Sequence, residues 1–150
     1  MADRIVIVAG PRAGKSTLAQ QIMRETGAQH YCADPLSVVK EPLTSAIYLP
    51  EGLDYSGDHG AAAYVASCWL TLPGPYVVEG HVMARALRRW LGPRGCDHEF
   101  RREFPCDKIV VFENQRHDCD LKRGQVAMHK GVMRVWSEIA DYFEPITEYR

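Results

Sequence analysis

The sequence predicts an α/β protein in which a short parallel sheet of four to five strands is flanked by helices on both faces. Three short apolar runs rich in β-branched residues, and a weaker fourth strand signal, alternate with segments of helical periodicity. Parallel strands need crossover connections, and these place helices on the faces of the sheet. With 150 residues, 46% of them hydrophobic, the chain can bury one compact core, so we expect a single domain over 1–150.

The first half of the chain has the pattern strand, glycine turn, helix, strand. The run 4–9 is the first predicted strand, and a helix follows with Leu18, Ala19, Ile22 and Met23 on one face. Gly27 ends that helix. A second strand is predicted over 28–32, where Pro35 forbids its continuation. The stretch 36–58 is broken by proline and glycine and predicts no long element.

The second half repeats this alternation. Its predicted elements are a helix over 59–72, a strand over 76–80, a helix over 81–91, a strand over 108–112 and a helix from about 121 to 143. The last helix places Met128, Val132, Trp136, Ile139 and Phe143 on one face. In such sheets ligands bind beyond the carboxyl ends of the strands. Asp34, Glu79 and the first glycine turn all lie at such ends.

The segment Ala-Gly-Pro-Arg-Ala-Gly-Lys-Ser-Thr at residues 9–17, here called the glycine loop, matches the Walker A pattern of phosphate-binding loops except that alanine replaces the first glycine. Successive backbone N–H groups of such a loop surround a phosphate, and the following helix directs its positive end at the same anion. The loop therefore predicts an ATP site formed by Gly10, Pro11, Arg12, Ala13, Gly14, Lys15, Ser16 and Thr17.

Within that site, Lys15 is expected to reach the β- and γ-phosphates, as a catalytic residue, and Ser16 to bind Mg²⁺. Glu79 ends a hydrophobic strand where a second metal-binding acid is expected, so Ser16 and Glu79 form the predicted Mg²⁺ site. Alternatively, Glu79 caps the next helix by its charge. For Arg12 we leave open whether it contacts the nucleotide or stays exposed.

Positive charge is concentrated in the segment 81–134, which has twelve basic and seven acidic side chains although the whole chain has a net charge of −1. Such a segment suits ligands that carry phosphate. The basic side chains considered for closing over the phosphates are Arg85, Arg88, Arg89, Arg116, Lys122 and Arg123, of which Arg85 and Arg123 are the predicted catalytic pair. The alternative is that these arginines form a solvated helix face.

The layout resembles the nucleotide kinase-like family, and the GTPase signature Asn-Lys-x-Asp does not occur in the sequence. The resemblance implies an acceptor-binding region at about 34–72 and a lid-like region at about 113–124. Asp34 looks like the catalytic aspartate of polynucleotide kinases and other kinases that phosphorylate hydroxyl groups. A hydroxyl acceptor must lose a proton, whereas a phosphate acceptor needs only positioning. The alternative is that Asp34 starts a turn with Pro35.

Two stretches, 77–90 and 122–136, are similar to small kinases encoded by tailed bacteriophages, some of which phosphorylate 5-hydroxymethyluracil within phage DNA. This resemblance implies a nucleotide-type acceptor, including DNA that carries a modified pyrimidine. Two alternatives stay open: a kinase of free (deoxy)nucleosides or nucleoside monophosphates, and a nucleotide-binding switch or regulatory ATPase.

Five cysteines without a CxxC pair predict reduced thiols. The N-terminal apolar run is too short for a signal peptide or a membrane span, so a cytoplasmic protein without membrane contact is expected, in the host cytoplasm if a phage encodes it. A zinc site near the predicted lid is a weaker alternative because its ligand spacing matches no usual pattern. The residues concerned are Cys96, His98, Cys106, His117 and Cys119.

Overall fold

The computed structural model describes residues 3–34, 57–92, 104–115 and 121–150. In chain order the strands and helices are β1 (Arg4–Val8), α1 (Lys15–Thr26), β2 (Gln29–Cys32), α2 (Gly57–Tyr64), β3 (Tyr76–Gly80), α3 (Met83–Leu91), β4 (Lys108–Val111), α4 (Arg123–Phe143) and β5 (Thr147–Tyr149). The strands form one sheet in the order β2-β3-β1-β4-β5, and every pairing is parallel. The α/β class and the parallel sheet predicted from the sequence are confirmed.

The register of the strands brings their carboxyl ends to one edge of the sheet. Along β1 and β3 the pairing runs from Arg4 opposite Tyr76 to Val8 opposite Gly80. On the far side of β3, Cys32 at the end of β2 lies opposite Glu79. The segments that follow β1, β2 and β3 therefore start side by side.

Helices cover both faces of the sheet, as predicted. Alternate residues of each strand point to opposite faces. On one face α1 packs against the sheet in a cluster that includes Ile5, Ile7, Leu18, Ala19, Val77 and Val110. On the other face α2, α3 and α4 join a larger cluster with Val6, Val8, Val78, Ile109 and Val111.

Two methionines that helical periodicity placed inward are partly exposed. In α4, Val132, Trp136, Ile139 and Phe143 are buried as predicted, but Met128 is 42% exposed. In α1, Leu18 and Ala19 are buried, whereas Met23 is 39% exposed. Each of these methionines lies at the margin of its helix's apolar face, where a period of 3.6 residues does not decide between core and solvent.

The structure differs from the sequence prediction at two elements. The helix predicted over 59–72 is α2 followed by a π-helical segment, Val65–Trp69, whose wide turn is closed by a hydrogen bond from the N–H of Leu70 to the carbonyl of Val65. The edge strand β5 has no counterpart among the four strands located from the sequence. It is three residues long and polar, so it carries no strand periodicity.

Burial makes two cysteines poor nucleophiles. Burial raises the pKa of the Cys106 thiol to about 12 and, together with the neighbouring Glu79 carboxylate, that of Cys32 to about 11. Because the thiolate is the reactive form, we expect iodoacetamide at pH 8 to alkylate both more than about 100-fold more slowly in the folded than in the unfolded chain. Mass spectrometry of each cysteine peptide over time measures this, and equal rates in urea and in buffer would contradict it.

Within the described residues, no helix combines the length and the apolar character needed to cross a lipid bilayer.

Candidate functional site

The glycine loop connects β1 to α1 with a backbone suited to hold an anion. Arg12 and Gly14 have positive φ angles of 60° and 97°, and α1 starts at Lys15 without an acidic residue in its first turn. Left-handed residues within a turn direct neighbouring N–H groups toward one point, and the positive helix end adds to the attraction. The expected context of the loop, between a strand and a helix, is confirmed. The Arg12 side chain is exposed.

The glycine loop also contacts α4 and the segment that follows β4. The Gln115 side-chain amide donates hydrogen bonds to the carbonyl of Pro11 at 2.8 Å and to that of Gln125 at 3.1 Å. The ring of His129 lies against Gly10, and its Nε2–H donates to the carbonyl of Glu113 at 2.8 Å. These contacts join the loop to the start of α4.

Gly10 has no room for a side chain. A Cβ atom there would lie 2.5 Å from Nδ1 and 2.7 Å from Cα of His129. Because one of the clashing atoms belongs to the backbone of α4, a rotamer change cannot relieve the contact. We expect Gly10→Ala to lower the free energy of unfolding in urea by about 1–3 kcal/mol.

Gly131→Ala is the matched control for this prediction, since a Cβ atom at Gly131 meets nothing within 4 Å and alanine favours a helix. The double variant Gly10→Ala/His129→Ala should regain part of the loss, but not all of it, because the clash with the backbone persists. A Gly10→Ala protein as stable as the wild type would contradict this packing.

Lys15, Asp34 and His81 form a chain of polar contacts at the edge of the sheet. Lys15 is buried, with 7% of the residue exposed, and its Nζ lies 3.5 Å from Oδ2 of Asp34. The other carboxylate oxygen, Oδ1, accepts a hydrogen bond from the backbone N–H of His81 at 2.9 Å and lies 2.6 Å from Nδ1 of the same residue. Asp34 is therefore held between the loop lysine and the residue that follows β3.

The approach of Asp34 to β3 depends on glycine at position 80. Gly80 has φ 149°, and a Cβ atom there would lie 2.8 Å from Cβ of Ala33 and 3.2 Å from Oδ1 of Asp34. Any other residue would be strained and would push the two strand ends apart.

Burial opposes ionisation of Asp34, but hydrogen bonds from the side chain and backbone of His81 and the charge of Lys15 outweigh it and lower the pKa of the carboxyl to about 2. Asp34 is thus a carboxylate at any physiological pH.

Glu79 is a buried carboxylate beside the start of α1. It is 0% exposed, and its two oxygens accept hydrogen bonds from the hydroxyl of Ser16 at 3.3 and 3.4 Å. Nε2 of His30 lies 3.4 Å from Oε1. A buried carboxylate costs free energy unless cations or donors surround it. The Ser16 hydroxyl and the Glu79 carboxylate thus bring three oxygen atoms together at the start of α1.

The arginines predicted to act on phosphate lie farther along the chain. Arg85, in α3, lines a cavity between α3 and α4. Arg123 is the first residue of α4 and is exposed. Arg88 forms an ion pair with Glu138 at 2.9 Å, which links α3 to α4. Arg116 lies outside the described residues, as do the segments 35–56 and 116–120 of the predicted acceptor and lid regions.

No group of three or more His, Cys, Asp or Glu side chains is arranged to hold a metal in the described part of the chain. Of the residues considered for zinc, Cys106 is buried in the core, and the other four are outside the described residues.

Three residues of this region were not singled out from the sequence, namely His81, Gln115 and His129. The position of His81 directly after the Glu79-Gly80 pair, at the carboxyl end of a predicted strand, is a usable signal. The other two contact the glycine loop across more than 100 positions of sequence, and no local pattern indicates such contacts.

Comparison with protein-family models and with curated proteins finds no match for this chain.

Proposed function

We propose that this protein is a P-loop phosphotransferase that uses ATP and Mg²⁺. The observation that supports the proposal is the convergence of Lys15, Ser16, Asp34 and Glu79 at the carboxyl ends of three adjacent strands, β1, β3 and β2. An ammonium group, a hydroxyl and two carboxylates at the mouth of an anion-binding loop are the groups that transfer of the terminal phosphate requires.

In this proposal the phosphates of ATP bind to the residues 10–17. Backbone N–H groups of the loop and of the first turn of α1 donate to the phosphate oxygens. Lys15, which lies beside Asp34 in the structure, then contacts the β- and γ-phosphates. Its move toward the phosphates leaves Oδ2 of Asp34 available to the acceptor.

The residues present fit a magnesium ion. Mg²⁺ prefers oxygen ligands, keeps several waters and is commonly held by one or two protein oxygens plus substrate phosphates. Ser16 and Glu79 supply such oxygens within 3.4 Å of each other. Bound there, the ion would neutralise charge on the phosphates. The hydrogen bonds from Ser16 to Glu79 would keep the Ser16 hydroxyl directed at the magnesium site.

The particular reaction we propose is transfer to a hydroxyl group of a nucleotide-type acceptor. Asp34 is ionised and accepts the hydroxyl proton as the acceptor oxygen forms its bond to the γ-phosphorus. The bond between that phosphorus and the β-phosphate oxygen breaks, and ADP leaves. Arg85 and Arg123 are the proposed sources of positive charge near the transferred group. The resemblance to small phage kinases makes 5-hydroxymethyluracil in DNA the acceptor of first choice.

Transfer of label from γ-labelled ATP to a panel of acceptors tests this function. The panel contains free deoxynucleosides, their monophosphates, unmodified DNA and DNA containing 5-hydroxymethyluracil, with and without Mg²⁺. We expect Mg²⁺-dependent label on hydroxyl groups of the modified DNA. Label on monophosphates alone would favour the free-nucleotide kinase, and release of free phosphate without transfer would favour a regulatory ATPase.

A further inference from the structure

A cavity of about 320 Å³ lies between α3 and α4, beside the proposed transfer site. Its lining includes His81, Ala84 and Arg85 on one side and Met128, Gly131 and Val132 on the other. The family resemblance of the sequence implies acceptor binding at about 34–72 instead.

The cavity is connected to Lys15 by two side chains. Asp34 is 3.5 Å from Nζ of Lys15 and 2.6 Å from Nδ1 of His81, and the His81 ring is part of the cavity wall. A group bound in the cavity is therefore separated from Asp34, the proposed base, only by the side chain of His81. This continuity distinguishes it from the cavities at the far end of α4, which border Trp136 or Tyr142.

The lining suits a flat, weakly polar ring that carries a phosphate. Ala84 and Val132 are buried and apolar, and the partly exposed Met128 supplies an adaptable thioether. Arg85 brings a guanidinium group, which suits a phosphate, to the same cavity. Sites for small molecules span roughly 300–1,000 Å³, so this one admits a single nucleotide and not a duplex.

We infer that the cavity between α3 and α4 receives the acceptor nucleotide, with His81 in its wall, and that the acceptor hydroxyl extends past the His81 ring to Asp34. This inference rests on the proposed kinase function and adds the location of its acceptor. A free nucleotide can enter directly, whereas a base within DNA must first leave its stack. A free nucleotide and a nucleotide that has left the DNA stack present the same ring, sugar and phosphate to the cavity.

Filling the cavity from α4 tests the inference. A Cβ atom at Gly131 meets nothing within 4 Å and Gly131 lines the cavity, so we expect the side chain of Gly131→Leu to extend into it. Ala127→Leu fills the same cavity from an exposed position and serves if the first variant does not fold. Ser137→Leu is the control, because Ser137 is exposed on α4 and outside this cavity.

The acceptors used are 5-hydroxymethyl-deoxyuridine monophosphate and a single-stranded oligonucleotide containing 5-hydroxymethyluracil. For whichever one the wild type labels, we expect the two cavity variants to raise the acceptor KM at least about ten-fold and to leave the KM for ATP unchanged. The Ser137→Leu control should keep the wild-type KM for the acceptor and for ATP.

An acceptor KM that stays unchanged in both folded cavity variants would overturn the inference while the kinase function stands. A wild-type protein that labels neither acceptor, nor any member of the larger panel, would overturn the proposed function and the inference with it.

Discussion

Lys15→Met is expected to lower kcat/KM for phosphate transfer by about 10²- to 10³-fold, the usual effect of removing one group that stabilises charge in a transition state. Lys15 is the first residue of α1, directly after the glycine loop, and its Nζ lies 3.5 Å from Oδ2 of Asp34. Steady-state kinetics with γ-labelled ATP measure the effect. Binding of ATP should weaken as well, since the lysine contacts ground-state phosphates.

Lys130→Met is the matched control for this change, because Lys130 is exposed on α4 and belongs to no part of the proposed site. It should keep wild-type kinetics. A folded Lys15→Met protein with the activity of this control would exclude the glycine loop as the donor site.

Asp34→Asn is expected to reduce kcat by about 10²- to 10⁴-fold, the range for loss of a general base, with little change in ATP affinity. Asparagine can still accept the hydrogen bond from the His81 backbone, so the local fold should persist while the base is lost. If Asp34 serves only to hold its loop, the variant will be less stable but will keep its kcat. Kinetics and urea unfolding of the same preparation separate the two outcomes.

The same variant gives a pH-dependent test of the Asp34 environment. The pKa of Asp34 is lowered to about 2 in the folded protein, against about 3.9 for an unperturbed aspartate. A lowered pKa stabilises the fold above the unfolded value, and this contribution is lost as pH falls toward the folded one. The stability difference between wild type and Asp34→Asn should therefore shrink as the pH falls from about 4 to about 2.

Sequence alone located the candidate site along the chain because its residues follow predicted strands, two with a clear apolar pattern and the one before Asp34 with a weak one. Lys15 and Ser16 come after β1, Asp34 after β2, and Glu79 ends β3. Apolar runs of β-branched residues mark buried strands, and the glycine-rich spacing of the loop marks a phosphate site, so both can be read without a structure.

The order of the strands could not be predicted, and it decides which of these residues meet. Because β3 lies between β2 and β1, Glu79 lies next to both His30 and Ser16. The contact of His81 with Asp34 spans 47 positions and depends on the backbone of Gly80, so local patterns cannot show it. Exposure of Met128 likewise depends on how α3 and α4 pack together.

A crystal structure with a non-hydrolysable ATP analogue and Mg²⁺ tests the central claim most directly. We expect the phosphates against the backbone of residues 10–17, Lys15 moved from Asp34 to the β- and γ-phosphates, and Mg²⁺ bound by the hydroxyl of Ser16 near Glu79. A nucleotide bound elsewhere, with Lys15 still paired to Asp34, would contradict the account.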